Sequence, residues 1–318
     1  MIRTRTVAAI LLILFVAVMT YGTFISSLGC GGDAVGVEGL RVDFPEVAGP
    51  TGTPAVELAV ELPDAPSAMM IYRVKQADVT PDAVADIGVK LGLHGEITTS
   101  TFRGRYTLCE ESRCLFVWRA SGAIEYQRKD EILFPLEAPT LPTKEEAKRI
   151  AIDFVDELDL SLVGAVVQDP FAGSYMSGPN ELPTGEVVTQ SYVCHWAVRF
   201  DCELHSVPLC GPGAKFEVRI GNNGEVGSMV RGWREVEPYE ETSIKSPERA
   251  LEELREGKGS HDAPLDCQEV ILNGLCLAYW MEGLGEKQDY VVPVYVFLGE
   301  SVGPDGKTQD FRGYVNAL

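Results

Sequence analysis

Hydrophobic residues recur at helical spacing in three segments of the chain, residues 80–92, 143–158 and 246–257. Each segment opens with a hydroxyl residue that can cap a helix: Thr80, Thr143 and Ser246. In the second segment, Glu146 completes a capping box with Thr143. The apolar stripe of this second segment consists of Ala147, Ile150, Ala151, Phe154 and Leu158. The pattern therefore predicts three amphipathic helices.

Between these helices, apolar and polar residues alternate as they do in half-buried strands. The predicted strands are Met69–Val74, Glu96–Phe102, Arg105–Leu108, Leu115–Trp118, Ala123–Gln127, Tyr192–Phe200, Lys215–Ile220, Glu225–Arg234, Val270–Met281, Tyr290–Leu298 and Phe311–Val315. In Tyr192–Phe200 the alternation places His195 and Arg199 on the face opposite to the apolar residues. We expect short antiparallel meanders after each helix.

The fold class predicted from this order is α+β, with an N-terminal membrane anchor or lipoprotein signal followed by repeated helix-plus-antiparallel-meander units. The corresponding organisation is a signal or anchor at 1–30, a linker or stalk at 31–66, and three α+β units at 67–140, 141–240 and 241–318. No short period is visible, so a solenoid or propeller is disfavoured.

The first thirty residues have the profile of an export signal. Arg3 and Arg5 precede the apolar run Val7–Met19, and no charge occurs from Val7 to Leu28. The segment Ser27-Leu28-Gly29-Cys30 is similar to a prokaryotic lipobox, in which Cys30 would be lipidated, although Ser27 stands where leucine is usual. An uncleaved signal anchor is the other interpretation. Either outcome places the remaining chain outside the membrane.

The net negative charge of the chain disfavours anionic binding partners. Its 318 residues carry 47 acids against 27 bases, a formal charge of −20. A field of this sign repels nucleic-acid phosphates and anionic lipid head groups, so binding to nucleic acid is disfavoured. The glycine, proline and acidic residues between Gly31 and Pro63 are typical of a stalk.

Several segments together resemble exported proteins of the PepSY and YycI-like type. These are "LPTKEEAKRIAIDFVDEL", "GSMVRGWREVEP", "SPERALEELREG" and "YVVPVYVFLGE…FRGYVNAL". The resemblance implies membrane-tethered, cystatin-like α+β modules outside the cell that bind or restrain partners such as sensor kinases and secreted proteases. The matching motifs are apolar and structural, so the resemblance assigns no catalytic residue.

Eight cysteines in an exported chain favour disulfides. Cys109 and Cys114 lie opposite each other if Glu111 and Ser112 form a two-residue turn. Cys202 and Cys210 lie opposite each other if the loop has three residues. A regular Asn273-Gly274 turn would not align Cys267 with Cys276, so this third candidate pair needs an irregular hairpin. Cys194 is left over as a buried thiol.

No catalytic or metal motif with an established spacing occurs in the sequence. A zinc site of Cys194, His195, Cys202 and His205 is disfavoured, since Cys194 and His195 lie on opposite faces of one strand. The acids Glu235, Glu237, Glu240 and Glu241 around Pro238 are typical of a solvated linker. We therefore expect no catalytic residue, no cofactor and no metal.

The function predicted from the sequence is non-enzymatic binding or regulation of another exported or membrane protein, at the outer side of the cell membrane. One alternative is a cell-envelope hydrolase that uses two carboxylates from Glu235–Glu241. Another alternative is an inhibitor of an extracellular protease, which would insert a hairpin loop from Ala172–Glu186.

Overall fold

The three helices form at the residues where the hydrophobic pattern predicts them. In the computed structural model they span Pro81–Lys90 (α1), Lys144–Glu157 (α2) and Pro247–Arg255 (α3). The side chains of Thr80, Thr143 and Ser246 each accept a hydrogen bond from a backbone N–H of the first turn, and the capping box of α2 is present. The predicted caps are thus confirmed. The structure describes residues 54–129, 138–160, 165–181 and 187–318, with the backbone alone for 175–181 and 187–190.

Strands dominate the described residues. They are β1 Ala55–Leu58, β2 Ala68–Val74, β3 Ile97–Ser100, β4 Arg105–Glu110, β5 Arg113–Trp118, β6 Ile124–Arg128, β7 Val166–Val167, β8 Phe171–Glu181, β9 Val187–Asp201, β10 Glu203–Leu204, β11 Val207–Cys210, β12 Phe216–Ile220, β13 Val226–Arg231, β14 Val236–Ser243, β15 Ser260–His261, β16 Glu269–Trp280, β17 Tyr290–Val291, β18 Pro293–Val302 and β19 Thr308–Asn316.

The predicted fold class of repeated helix-plus-meander units is wrong, because the structure is mostly β and its strands combine into large antiparallel sheets. Antiparallel pairing of β6 with β13 merges the strands that follow α1 with those that follow α2. The result is a nine-stranded sheet of order β3-β4-β5-β6-β13-β12-β9-β7, with β8 also paired to β9. Long-range pairing of this kind leaves no mark in a local hydrophobic pattern.

Helices α1 and α2 pack on the same face of this nine-stranded sheet. Their buried residues Val84, Ala147, Ala151 and Val155 join one hydrophobic cluster with the strand residues of that face. We call this the covered face. The other face of the sheet carries the alternate residues of the same strands.

A second sheet of seven strands has the order β10-β11-β16-β18-β19-β15, with β1 paired in parallel to β16. Helix α3 packs here through Ala250, Leu251 and Leu254. Strand β16 continues through Asn273 and Gly274 with an irregularity in its pairing to β18, so a turn at these residues is not formed. A three-stranded sheet, β14-β2-β17, completes the described strands.

The predicted signal or anchor at 1–30, with Cys30, lies outside the described residues. Within the described ranges, no helix has the length and apolar character of a membrane span.

Candidate functional site

The face of the nine-stranded sheet that α1 and α2 leave uncovered is the candidate functional surface, and we call it the open face. Directly paired residues of adjacent strands point to the same side of a sheet. The pairing therefore defines a row across seven strands of this face: Thr98, Thr107, Phe116, Glu125, Val230, Glu217 and Arg199. A second row runs through Cys109, Cys114, Gln127, Ser228, Arg219, Ala197 and Phe171.

At one end of the open face, Glu217 holds two arginines. Its carboxylate accepts hydrogen bonds from Arg199 Nε at 3.2 Å and from Arg219 Nε at 2.9 Å. The Glu217 side chain is 7% exposed, whereas those of Arg199 and Arg219 are 52% and 38% exposed. Burial alone would raise the pKa of Glu217, but the charge of Arg219 and the hydrogen bonds from both arginines outweigh it and lower the pKa. We call Arg199 and Arg219 the arginine pair.

Strand β8 supplies further side chains beside the arginine pair. The guanidinium of Arg199 lies 4.8 Å from the centre of the Phe171 ring. Ser174 Oγ lies 3.3 Å from His195 Nδ1, and His195 Nε2 is buried without a partner among the described residues. Burial, with a contribution from the positive charge of Arg219, lowers the pKa of His195 to about 4. The imidazole is therefore neutral near pH 7.

The His195 ring fits against β8 because position 173 is glycine. A Cβ at Gly173 would lie 2.1 Å from His195 Nε2. The pairing of β8 with β9 also shifts register on both sides of Ser174, which marks a bulge at this point. Bulges are common where a sheet redirects a side chain.

A second polar cluster occupies the middle of the open face. The guanidinium of Arg105 lies 3.9 Å from the centre of the Phe116 ring, and Gln127 Nε2 donates to the carboxylate of Glu125. Burial lowers the pKa of Arg105, and a neighbouring positive charge at Arg103 adds to this effect. These residues place rings beside charges of both signs on the open face.

The structure forms one of the predicted disulfides. Cys109 and Cys114 pair across the β4–β5 hairpin with a Cα–Cα separation of 4.2 Å. Glu111 in the turn has a left-handed backbone, with φ 53°. The bridge therefore closes the hairpin at the edge of the second open-face row.

The remaining cysteine pairs of the prediction are not formed. The hairpin between β10 and β11 turns at His205 and Ser206 alone, both with positive φ, so Cys202 lies opposite Leu209 instead of Cys210. Cys276 lies within β16, opposite Val296, and Cys267 lies before that strand. All four, and Cys194, are free thiols. Burial raises the pKa of Cys202 to about 11 and that of Cys210 to about 12, so both are protonated and weakly nucleophilic.

The acids considered for hydrolysis do not converge. Glu237, Glu240 and Glu241 lie along β14, and Glu235 immediately precedes it. All four are exposed. Among the described strands, β14 pairs with β2 alone, so these acids line the outer edge of the three-stranded sheet. Among the described residues, no group of three His, Cys, Asp or Glu side chains is arranged to hold a metal ion.

A cavity of about 380 Å³ lies beside the turn between β18 and β19. Several of its polar lining groups bond within the chain: Cys267 Sγ donates to the Glu269 carbonyl, Ser301 Oγ donates to the Gln309 carbonyl, and Lys307 pairs with Asp305. These bonds leave fewer oriented donors for a ligand here than at the arginine pair.

The sequence carries a local signal for the arginine pair. Phe216, Val218 and Ile220 alternate with Glu217 and Arg219, as the apolar residues of β9 alternate with His195 and Arg199. Pairing of β12 with β9 brings the two polar sets to the same face. The alternation of apolar and polar residues in β9 and β12 can be recognised in the sequence, whereas the pairing of the two strands cannot.

No protein-family model and no curated protein sequence matches the chain. Among solved structures, the chain is similar to an uncharacterized protein from Eubacterium rectale. The two share 11% sequence identity with a TM-score of 0.40, over 79% of this chain and 84% of that chain.

Proposed function

We propose that this chain is an exported, membrane-tethered binding protein that takes an extended segment of another exported or membrane protein by strand addition along β8. The observation that carries the proposal is the length and composition of this edge strand. A strand at a sheet edge presents unpaired N–H and C=O groups, which a partner strand can satisfy. The hydrophobic segment Val7–Met19 and the cysteine content support the extracytoplasmic placement.

Among the described edge strands, only β8 and β14 exceed four residues. Strand β14 carries Glu237, Glu240 and Glu241 and is irregular next to Pro238, which are features that discourage strand addition. Strand β8 spans 11 residues, and Glu181 at its end is its sole charged residue. The segment Ser174–Gly178, between the bulge and Pro179, is therefore the best acceptor for a partner strand.

The strand pairing of β8 and β9 beyond the rest of the sheet also supports strand addition. Strand β9 pairs with β12 only over Trp196–Arg199, whereas it pairs with β8 as far as Val187 and Glu181. Residues 174–181 and 187–195 thus form a two-stranded ribbon that extends past the other described strands. A ribbon of two strands is marginally stable in water, and a third strand would stabilise it.

The protease-inhibitor alternative uses the same ribbon, with residues 182–186 of the proposed loop outside the described residues. The hydrolase alternative depends on carboxylates that the structure places on an exposed edge, so no observation favours it. A binding role is the better account of a ribbon whose outer strand, β8, pairs with β9 alone among the described strands.

Site-specific photocrosslinking in intact cells tests the proposal. A benzoylphenylalanine is placed at Ser177 in β8 and, in a control variant, at Glu241 in β14. We expect an adduct with a second protein from position 177 and none from position 241. Equal adducts from both positions, or none from 177, would contradict strand addition along β8. An adduct with the mass of two copies of this chain would instead indicate self-association, and inhibition of a protease by the purified chain would favour the inhibitor.

The extracytoplasmic placement has its own test. An impermeant amine reagent applied to intact cells should label Lys215 and Lys287, which are exposed. Labelling that occurs only after lysis would refute the topology. An unchanged mass in Cys30→Ala would favour the signal anchor over the lipoprotein.

A further inference from the structure

We infer that the arginine pair, Arg199 and Arg219, is a carboxylate-binding site on the open face, and that the extended segment bound along β8 supplies the carboxylate. The site is inferred from the geometry of Glu217, Arg199 and Arg219. The source of the carboxylate rests on the proposed function.

The two guanidinium groups are held in place through one nitrogen each, and their other nitrogens are available to a ligand. Each binds Glu217 through Nε, and the terminal nitrogens of both have no hydrogen bond to another described residue. The buried carboxylate fixes Arg219, and Arg199 is held between Glu217 and the Phe171 ring. Two planar forks of donors, already oriented and partly exposed, suit a carboxylate better than they suit water.

Other arginines of the chain show what a purely structural role looks like. Arg234 is 2% exposed, and its terminal nitrogens donate to the carbonyls of Glu282, Gly283 and Glu286. Arg113 donates to the carbonyls of Leu91 and Gly92 at the end of α1. In both cases the forks are engaged by the chain itself. The arginine pair differs because, within the described part of the chain, only its inner nitrogens are engaged.

The charge of the cluster selects the kind of anion. Two arginines against one glutamate leave a single positive charge, since His195 is neutral near pH 7. One positive charge is matched by a monoanion such as a carboxylate. A phosphate dianion would leave excess negative charge within a chain of formal charge −20.

The position of the pair links it to β8. Phe171 begins β8 and lies opposite Ala197 on the open face, and Ala197 lies opposite Arg219. A segment that pairs with Ser174–Gly178 and continues along β8 past the bulge would place the residue opposite Phe171 on this same face. That residue would lie beside Arg199, so an aspartate or glutamate there, or a terminal carboxylate, could reach the forks.

Protection from phenylglyoxal, which modifies arginine, tests the site in the full-length chain in detergent. Modification of each arginine is followed by peptide mass spectrometry at constant ionic strength. The probes are N-acetylglutamic acid α-amide for a side-chain carboxylate, N-acetylalanine for a terminal carboxylate, N-acetylglutamine amide as the neutral control, and inorganic phosphate. Arg249, at 50% side-chain exposure, is the internal control because it is as exposed as Arg199 and lies on α3.

We expect one or both carboxylates to slow modification of Arg199 and Arg219 by about threefold or more in a saturable manner, since charge-assisted bidentate pairs are the strong ones. Arg249 should be unaffected, and the two carboxylate probes identify the source. No protection, or equal protection by phosphate or by the neutral amide, would overturn the site. In Arg199→Lys, protection of Arg219 should fall, because lysine keeps the charge but loses the fork; undiminished protection would overturn the forked geometry.

The outcomes separate this inference from the proposed function. Carboxylate protection without a crosslink from position 177 would leave the site intact and remove strand addition. A crosslink that persists at full yield in Arg199→Lys, together with no protection by any probe, would leave strand addition and remove the site.

Discussion

Two consecutive rows of the nine-stranded sheet run through the same seven strands and differ in almost every respect. On the covered face the row is Ile97, Leu108, Leu115, Tyr126, Met229, Val218 and Val198, all part of one hydrophobic cluster. The next row, on the open face, includes Glu125, Glu217 and Arg199. One row is continuous apolar surface, and the other mixes rings with charges of both signs.

The difference shows which part of the sequence specifies the fold and which part is available for binding. The covered row buries apolar area under α1 and α2, and that burial is the main favourable term in folding. The open row contributes cross-strand pairs whose individual effect on stability is about 0.2–1 kcal/mol. Substitutions on the two faces should therefore differ in kind as well as in size.

The largest effect is expected on the covered face, from Val155→Asp in α2. Val155 is 2% exposed within the hydrophobic cluster, so an unpaired carboxylate there should destabilise the protein by several kcal/mol. The same substitution at Val89, which is 59% exposed on α1, is the matched control and should cost less than about 1 kcal/mol. Urea denaturation measures both. Similar losses in the two variants would contradict the distinction between buried and exposed helix faces.

A smaller effect is expected on the open face from Glu217→Ala. Removal of this buried carboxylate leaves both arginines without their anchor, but they are exposed enough to be hydrated, so we expect a loss of about 1–3 kcal/mol. Glu252→Ala, which removes the exposed partner of Arg249 on α3, should cost about 0.2–0.5 kcal/mol. The loss in Glu217→Ala should shrink in acid, because the lowered pKa of Glu217 contributes stability only above its folded value. A loss that is independent of pH would argue that packing alone is responsible.

The disulfide at the edge of the open face should contribute about as much to the free energy of unfolding as Glu217 does. The Cys109–Cys114 bridge closes a short loop, so its removal in a Cys109→Ser, Cys114→Ser double variant should cost about 2 kcal/mol by the loop-entropy argument. Peptide mapping of protein recovered from outside the cell should find the bridge intact. The control is a Cys202→Ser, Cys210→Ser variant. If it loses as much stability as the Cys109→Ser, Cys114→Ser variant, a bridge that the structure does not contain is indicated.

The helices and many of the strands could be predicted because their signals are local. Thr143 and Glu146 form the capping box of α2, and the alternation in β9 placed His195 and Arg199 on the side opposite the core. The features that could not be predicted are pairings between strands far apart in the sequence. The pairing of β6 with β13 depends on residues about a hundred positions apart in the chain, and no local pattern predicts it. The arginine pair was missed for the same reason, since Glu217 and Arg199 meet only when β12 pairs with β9.

The smallest expected effect, and the one that most directly probes the environment of the open face, is the pH dependence caused by His195. Burial and Arg219 lower its pKa from 6.5 to about 4 in the folded protein, with Glu217 acting in the opposite direction. Between these values the unfolded chain binds more protons than the folded one, so stability falls as pH falls from about 6.5 towards 4 and is constant above that range. With allowance for solvent screening, the contribution is of order 1 kcal/mol.

His195→Gln should flatten the dependence of the unfolding free energy on pH in this window while leaving it nearly unchanged at pH 8. The pKa of His261 is also lowered by burial, so His261→Gln and the double variant are compared with the single one. If the imidazole of His195 is enclosed beside Gly173 and Ser174, its removal will reduce the slope in either background. A slope in His195→Gln equal to that of the parent would mean that this ring is solvated and that its pKa is not lowered by burial.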